Sequence, residues 1–206
     1  MDSDAWDERY AGEELLWKAD PNRFLVAEVE GLTPGRALDL ACGEGRNAVW
    51  LAGQGWSTTG VDFSRVALAK GARLAAERGV RVEWVRADVA TWAPPPGAFD
   101  LVIVFFLHLP APERRAAHRA AATGLAPGGT ILVVGHDRAN LAEGYGGPQD
   151  PALLLTAADV GDDLVGLEIQ RAEPLARIVS TDAGERTAID TLVRAVRPPH
   201  LPGASP

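Results

Sequence analysis

The 206-residue chain carries 28 acidic against 20 basic residues, with a net charge of −8 and a pI near 5.0. That length gives room for one domain with a substantial core, and the acidic balance leaves no basic footprint for a phosphate backbone, so nucleic acid is not an expected partner. The opening "MDSDAWDERY" lacks the basic and apolar segments of a secretory signal, and the longest clean apolar run, residues 101–107, is far shorter than the roughly 20 residues that span a bilayer. A cytoplasmic protein with no membrane partner is expected. Its single cysteine, Cys42, allows no internal disulfide.

Asp20 and Pro21 read as a helix cap and first turn, with Leu25, Val29 and Leu32 following at helical spacing before Gly35. A strand over 37–41 runs into the glycines of "ACGEGR", and a helix over 47–52 ends among Gly53 and Gly55. The next strand is 58–62; Ser64 then caps an alanine- and leucine-rich helix over 66–78, closed by Gly79. Residues 80–88 form a third strand, and the prolines at 94–96 end regular structure. "FDLVIVFFLHL", over 99–109, is apolar on both faces, as a central strand of a parallel sheet must be. A helix over 112–123 and the strand "TILVVGH" complete a repeated strand–helix order, which predicts an α/β doubly wound sheet. Residues 137–156 lose all periodicity and are too long for an ordinary connection, so they read as a lid over a site. Strands at 164–172 and 188–196, joined by a polar turn at 180–186, make an antiparallel pair.

In an open α/β sheet, ligands bind beyond the carboxyl ends of the strands, where a glycine turn admits the ligand to the backbone. Gly43, Gly45 and Ala48 satisfy G-x-G-x-x-A, and Asp62 lies nineteen residues past Gly43, a spacing that also suits a nicotinamide dinucleotide. Asp39 separates the two readings. A carboxylate inside the strand repels a pyrophosphate and suits a cationic amine.

These residues resemble a known family. "LDLACGEGRNAVWLA" looks like motif I of the class I S-adenosylmethionine-dependent methyltransferases, and its "GEGRNAVWLA" part is closest to the tellurite-resistance and thiopurine-methyltransferase-like branch. "GVDFS", "VRADVATW", "FDLVIVFFLHL" and "LAPGGTILVVGH" extend the resemblance through nearly the whole chain. It implies a single domain over 1–206 with a Rossmann-like, seven-stranded, mostly parallel sheet whose last strand is antiparallel. Residues 1–35 would form a cap segment and helix. It further implies that Gly43 and Gly45 admit the methionine moiety, Asp62 binds the ribose hydroxyls, and Asp88 with Val89 reads the adenine, on which Phe63 packs. Asp39 would face the methionine ammonium, and Trp6, Tyr10 and Trp17 resemble the family's opening segment folded over the cofactor. Asn47 and Phe105 complete the expected cofactor set, together with Ala41, which stands where the family usually has glycine.

Methyl transfer from a sulfonium needs no metal, and His108, His118, His136 and His200 show no ligand spacing. His118 and His200 read as surface residues; His108 and His136 fall at carboxyl ends of predicted strands, where either suits a general base. In the tellurite-resistance branch a His-Arg pair is expected near the last hairpin, and this chain has Ala176 and Arg177. His108, His136 and Arg177 are therefore the catalytic candidates. The acceptor is expected to be a small molecule: a thiol, a selenium or tellurium species, or a heteroaromatic N, S or O atom. The rival readings are an NAD(P)-dependent reductase and a non-catalytic cofactor-binding relative, as monomer or homodimer in each case.

Overall fold

The computed structural model describes residues 3–16 and 19–199, so Trp17 and His200 lie outside the described residues. Strand β1 (Arg36–Leu40) is hydrogen-bonded on one side to β2 (Ser57–Asp62), which in turn pairs with β3 (Val82–Arg86). On its other side β1 pairs with β4 (Phe99–Phe105), and β4 with β5 (Leu125–His136), all in parallel. The chain closes with β6 (Glu168–Thr181) and β7 (Gly184–Val196), and β7 inserts antiparallel between β5 and β6, giving the order β3-β2-β1-β4-β5-β7-β6. This is a Rossmann-like, seven-stranded mixed sheet with a single antiparallel strand.

Alternation along β4 explains how the sheet fills both faces. Leu101, Ile103 and Phe105 join a cluster with Phe24, Leu25 and Leu51, while Val102 and Val104 join Leu38, Leu40, Leu155 and Val160 on the other face. The first cluster is covered by α2 (Arg23–Val29) and α3 (Arg46–Gly53). The second receives α5 (Ala111–Gly124) and α7 (Ala157–Asp163), while α4 (Arg65–Glu77) packs against β3, β2 and α3. Serine and threonine caps behave as their chemistry dictates: Ser64 Oγ accepts from Ala67 N–H at 3.0 Å and Thr156 Oγ1 from Asp159 N–H at 3.0 Å. The cap of α2 is Asn22, whose Oδ1 accepts from Phe24 N–H, and not the Asp20 that the Asp-Pro pair suggests.

Two segments are more ordered than their sequences imply. The 137–156 stretch contains α6 (Asn140–Glu143), a 3-10 turn at Pro151–Leu153 and a parallel bridge between Asp137 and Leu155. Asn140 pins it, donating to Gly146 O at 2.8 Å and accepting from Ile189 N–H at 2.7 Å. Strands β6 and β7 are also longer than predicted, leaving only residues 182–183 as a turn. Pairing of β7 with β5 ends at Asp190 opposite His136, so residues 184–189 of the hairpin project beyond the carboxyl edge of β5. No helix among the described residues is long and apolar enough to cross a membrane.

Candidate active site

The turn after β1 contains three residues in the left-handed region: Ala41, Gly43 and Gly45, with φ of 61°, 54° and 73°. Glycine adopts it freely, whereas the Cβ of Ala41 makes it unfavourable by about 1 kcal/mol or more. Two carboxylates tie the turn down. Asp62 accepts from Gly43 N–H at 2.8 Å through one oxygen and from Ser64 N–H at 2.9 Å through the other. Asp39, only 1% exposed, accepts from Ala48 N–H at 3.1 Å, at the first turn of α3. Burial pushes Asp39 up to about 7, and burial also raises Asp62 in spite of its backbone donors.

Trp84 of β3 sets the floor of this end. A Cβ at Gly45, Gly60 or Gly71 would stand 2.3, 2.8 and 2.8 Å from its ring, so glycine at all three positions makes room for one indole. Helix α1 (Ser3–Arg9) and the residues after it cover the turn from above. Asp7 accepts from Ser64 Oγ at 2.5 Å and from Val66 N–H at 3.2 Å. The buried Lys70–Glu44 ion pair, at 3.0 Å, engages Glu14 O and Leu16 N–H of the same strap. Tyr10 is buried with its hydroxyl 3.0 Å from where a Gly43 Cβ would lie, and its ring stacks on Trp6 with centroids 5.4 Å apart.

The remaining cofactor candidates divide. Asp88 is exposed just past β3, with one oxygen accepting from Ala90 N–H, and Phe63 is half-buried beside Asp62. Val89 is packed in the core. Asn47 is buried and its Oδ1 accepts from Asn22 N–H at 2.9 Å, fastening α2 to the turn. Phe105 differs from expectation: its side chain belongs to the core cluster, and the ring that reaches the site edge is the next one, Phe106, at φ 56°. Arg46, missed in the sequence, opens α3. It is half-buried, its guanidinium has no hydrogen-bond or ion-pair partner among the described residues, and Asp39 and Arg177 both act on it electrostatically.

Beyond β4 and β5 lies a second cluster, built of side chains. Asp190 of β7 is fully buried and binds Arg177 of β6 through both oxygens, at 2.6 and 3.4 Å. His136 Nδ1 is 3.1 Å from Asp190 Oδ1, close enough to pair but too bent for a hydrogen bond. Burial works to raise Asp190, and His136 and Arg177 outweigh it, holding the carboxyl below its usual range. His108 stacks on His136 with centroids 5.4 Å apart and planes 14° apart, and Phe106 meets His136 edge-on at 5.2 Å. Arg177 lies 5.7 Å above the Phe106 ring. His108 Nδ1 is 2.9 Å from Leu153 O, its Nε2 is buried without a partner, and burial lowers the ring to about 4. His118 is not here, nor on the surface as its sequence context implies. It is 1% exposed, with Nδ1 3.0 Å from Asp163, which Arg114 also engages at 2.8 Å. Helix α7, unrecognised in the sequence, provides that inward partner.

The chain matches the methyltransferase domain family over residues 37–129. It is 34% identical to trans-aconitate 2-methyltransferase of Rhodopseudomonas palustris over 116 residues, 55% of this chain and 43% of that one. It is 36% identical to demethylmenaquinone methyltransferase of Thermus thermophilus over 125 residues, 60% and 55% of the two chains. The chain spans about half the length of the curated relatives it matches. Among solved structures it superposes with TM-score 0.77 at 25% identity, over 97% and 94% of the two chains, on a protein described in the conversion of a disulfide bond into a thioacetal group during echinomycin biosynthesis. It superposes with TM-score 0.71 at 19% identity on the N-methyltransferase NodS of Bradyrhizobium japonicum in complex with S-adenosyl-L-homocysteine, over 95% and 98%. The fold is thus that of the class I S-adenosylmethionine-dependent methyltransferases. Residues 37–129 are the part that matches the methyltransferase domain family, and S-adenosylmethionine is the cofactor that match indicates. The donor set fits that molecule in one respect: Asp62, which accepts from the backbone N–H groups of Gly43 and Ser64, keeps lone-pair capacity for a hydroxyl.

Proposed function

We propose that this chain transfers a methyl group from S-adenosylmethionine to a small-molecule acceptor. One observation carries the reading: Asp39, Asp62 and Asp88 stand on or just beyond three adjacent strands around a left-handed glycine turn. When bound, the cofactor supplies an electrophilic methyl group on a sulfonium. Asp62 accepts the ribose hydroxyls, Asp88 with the Val89 backbone reads the adenine, and Phe63 packs on it. Asp39 and the unpartnered Arg46 set opposite charges side by side, matching the ammonium and carboxylate of an amino acid. Trp6 and Tyr10 exclude water above the turn, and His108, His136 and Arg177 face the acceptor. Alignment for in-line displacement in such a closed site supplies up to roughly 7–11 kcal/mol of the acceleration.

Within the class, "GEGRNAVWLA" supports a place near the tellurite-resistance and thiopurine-methyltransferase-like branch, while Ala176 in place of histidine argues against oxyanion acceptors. The test is a melting comparison. S-adenosylhomocysteine at about 100 times its dissociation constant stabilises the protein by roughly 2.7 kcal/mol. A shift with NADH and none with S-adenosylhomocysteine would establish a reductase instead. Cofactor binding without product across thiols, phenols, heteroaromatics, selenite and tellurite would establish a non-catalytic relative.

A further inference from the structure

Strand β6 is an outer edge of the sheet, and its two halves are guarded unequally. Residues 168–174 carry the devices that keep an edge from pairing: a register shift between Ile169 and Arg171, the charged Glu168, Arg171 and Glu173, and Pro174, which has no N–H to offer. The second half, "LARIVST" over 175–181, has none of them. Its one charge, Arg177, is engaged by Asp190, and no strand among the described residues lies beyond it. The two-residue turn at 182–183 makes Thr181 and Gly184 a hydrogen-bonded pair, so Val179, Arg177 and Leu175 also direct their backbone groups at β7. The N–H and C=O groups of Ala176, Ile178 and Ser180 therefore point outward. Side chains alternate in step: those at 175, 177, 179 and 181 are half-buried, whereas 176, 178 and 180 are exposed, Ile178 by 53%.

We infer that residues 175–181 pair antiparallel with the same residues of a second copy of this chain, about a two-fold axis at Ile178. In that register Ile178 faces its own counterpart and Ala176 faces Ser180, so each of the three outward N–H groups meets an outward C=O of the other copy. The free groups are placed symmetrically about Ile178 and are bounded by Pro174 on one side and the turn on the other, which makes the segment complementary to itself rather than to a longer strand. Each copy is acidic overall, with a net charge of −8, yet this segment brings no unpaired charge to the contact. Closure about the two-fold also removes an unguarded edge that a lone copy would present for open-ended association. On the opposite face of the strand, Val179 of the second copy comes to stand against Arg177, extending the apolar wall on which the guanidinium already lies over Phe106. The contact does not depend on the reaction proposed above.

The experiment is sedimentation over a concentration series of the full chain as wild type, Ile178→Pro, Ile178→Lys and Ile169→Lys, with circular dichroism and melting temperature recorded for each. Ile178→Pro removes an N–H that β7 does not use, so the hairpin keeps its own ladder. Wild type is expected to reach twice the 21.8 kDa chain mass. Both Ile178 substitutions should raise the dimer dissociation constant by about 100-fold or more, whereas Ile169→Lys, in the guarded half, should leave it unchanged. The register is read from Ile178→Cys, since facing residues of a hydrogen-bonded pair lie about 5.5 Å apart at Cα, within disulfide reach. Mild oxidation should link two copies of that variant, and wild type, which retains Cys42, should stay unlinked. A wild type that remains monomeric at every concentration would overturn the inference, as would a dimer that survives both Ile178 substitutions or one in which Ile178→Cys gives no cross-link.

Discussion

The two ends of the carboxyl edge are built by opposite means. Around β1 to β3 the site is mainly backbone: left-handed turn residues, amide donors and carboxylates that hold those amides in place. Around β4 to β7 it is side chains on side chains, with two imidazoles, a phenyl ring and a guanidinium gathered about one buried carboxylate. A backbone cradle suits a ligand that never varies. A side-chain cluster can be rebuilt for each acceptor without disturbing the cradle.

Substitutions sharpen that contrast. Asp62→Ala removes two charge-assisted hydrogen bonds proposed to the ribose, at about 1.5–3 kcal/mol each, so S-adenosylhomocysteine affinity measured by calorimetry should fall by roughly 10²- to 10⁴-fold. Its melting temperature should fall as well, because Gly43 N–H and Ser64 N–H lose their partner. At the other end, Asp190→Ala leaves Arg177 without its carboxylate partner and should destabilise folding by about 3–5 kcal/mol in denaturant titrations, with cofactor affinity per folded molecule unchanged. Equal loss of affinity in both variants would mean that the two ends are one unit.

Asp39 offers a pH signature. Its carboxyl is raised by burial from 3.8 to about 7, so the folded protein holds a proton the unfolded chain has already released. That contribution is complete below about pH 4 and disappears as pH rises through about 7, up to ~4 kcal/mol by the size of the shift. Asp39→Asn should therefore flatten the stability profile between pH 5 and 8 and raise the melting temperature at pH 8, while weakening S-adenosylhomocysteine about tenfold or more. In wild type the same affinity should drop as pH falls below 7, since protonation of Asp39 would remove the attraction proposed between its carboxylate and the ammonium. The smallest effect belongs to Ala41→Gly: relief of the left-handed strain against the added chain entropy leaves a gain of under ~1 kcal/mol, and a loss instead would mean that the methyl packs usefully.

Much of the cradle was legible because its signals are local. Asp39, Gly43 and Gly45 lie within seven residues, and the apolar run of β4 announces a central strand without knowledge of its neighbours. The second cluster was only half legible. His108 and His136 could be placed from strand ends, but Asp190, which gathers them, sits in a strand whose partner lies more than fifty residues earlier in the chain. Nothing in "GERTAIDTLVRAV" marks one aspartate as buried. Arg46 was overlooked for a related reason, because an unpartnered charge is a property of what surrounds it. His118 failed through α7: the polar "AADVGDD" hid a short helix whose Asp163 turns inward. Phe105 packs in the core, and Phe106, at φ 56°, is the ring that meets His136, a backbone turn that no local signal announces.

Trp84 has a final implication, for inheritance rather than for chemistry. One side chain takes up the volume that three separate Cβ atoms, on a turn, a strand and a helix, would otherwise claim. None of the three glycines can acquire a side chain while the indole remains, and a smaller residue at 84 leaves a void that alanine at 60 or 71, where φ is ordinary, would fill only in part. Drift at these positions is thus expected to proceed in concert or not at all. A lineage that shortens Trp84 first passes through a loosened cradle before any glycine can follow.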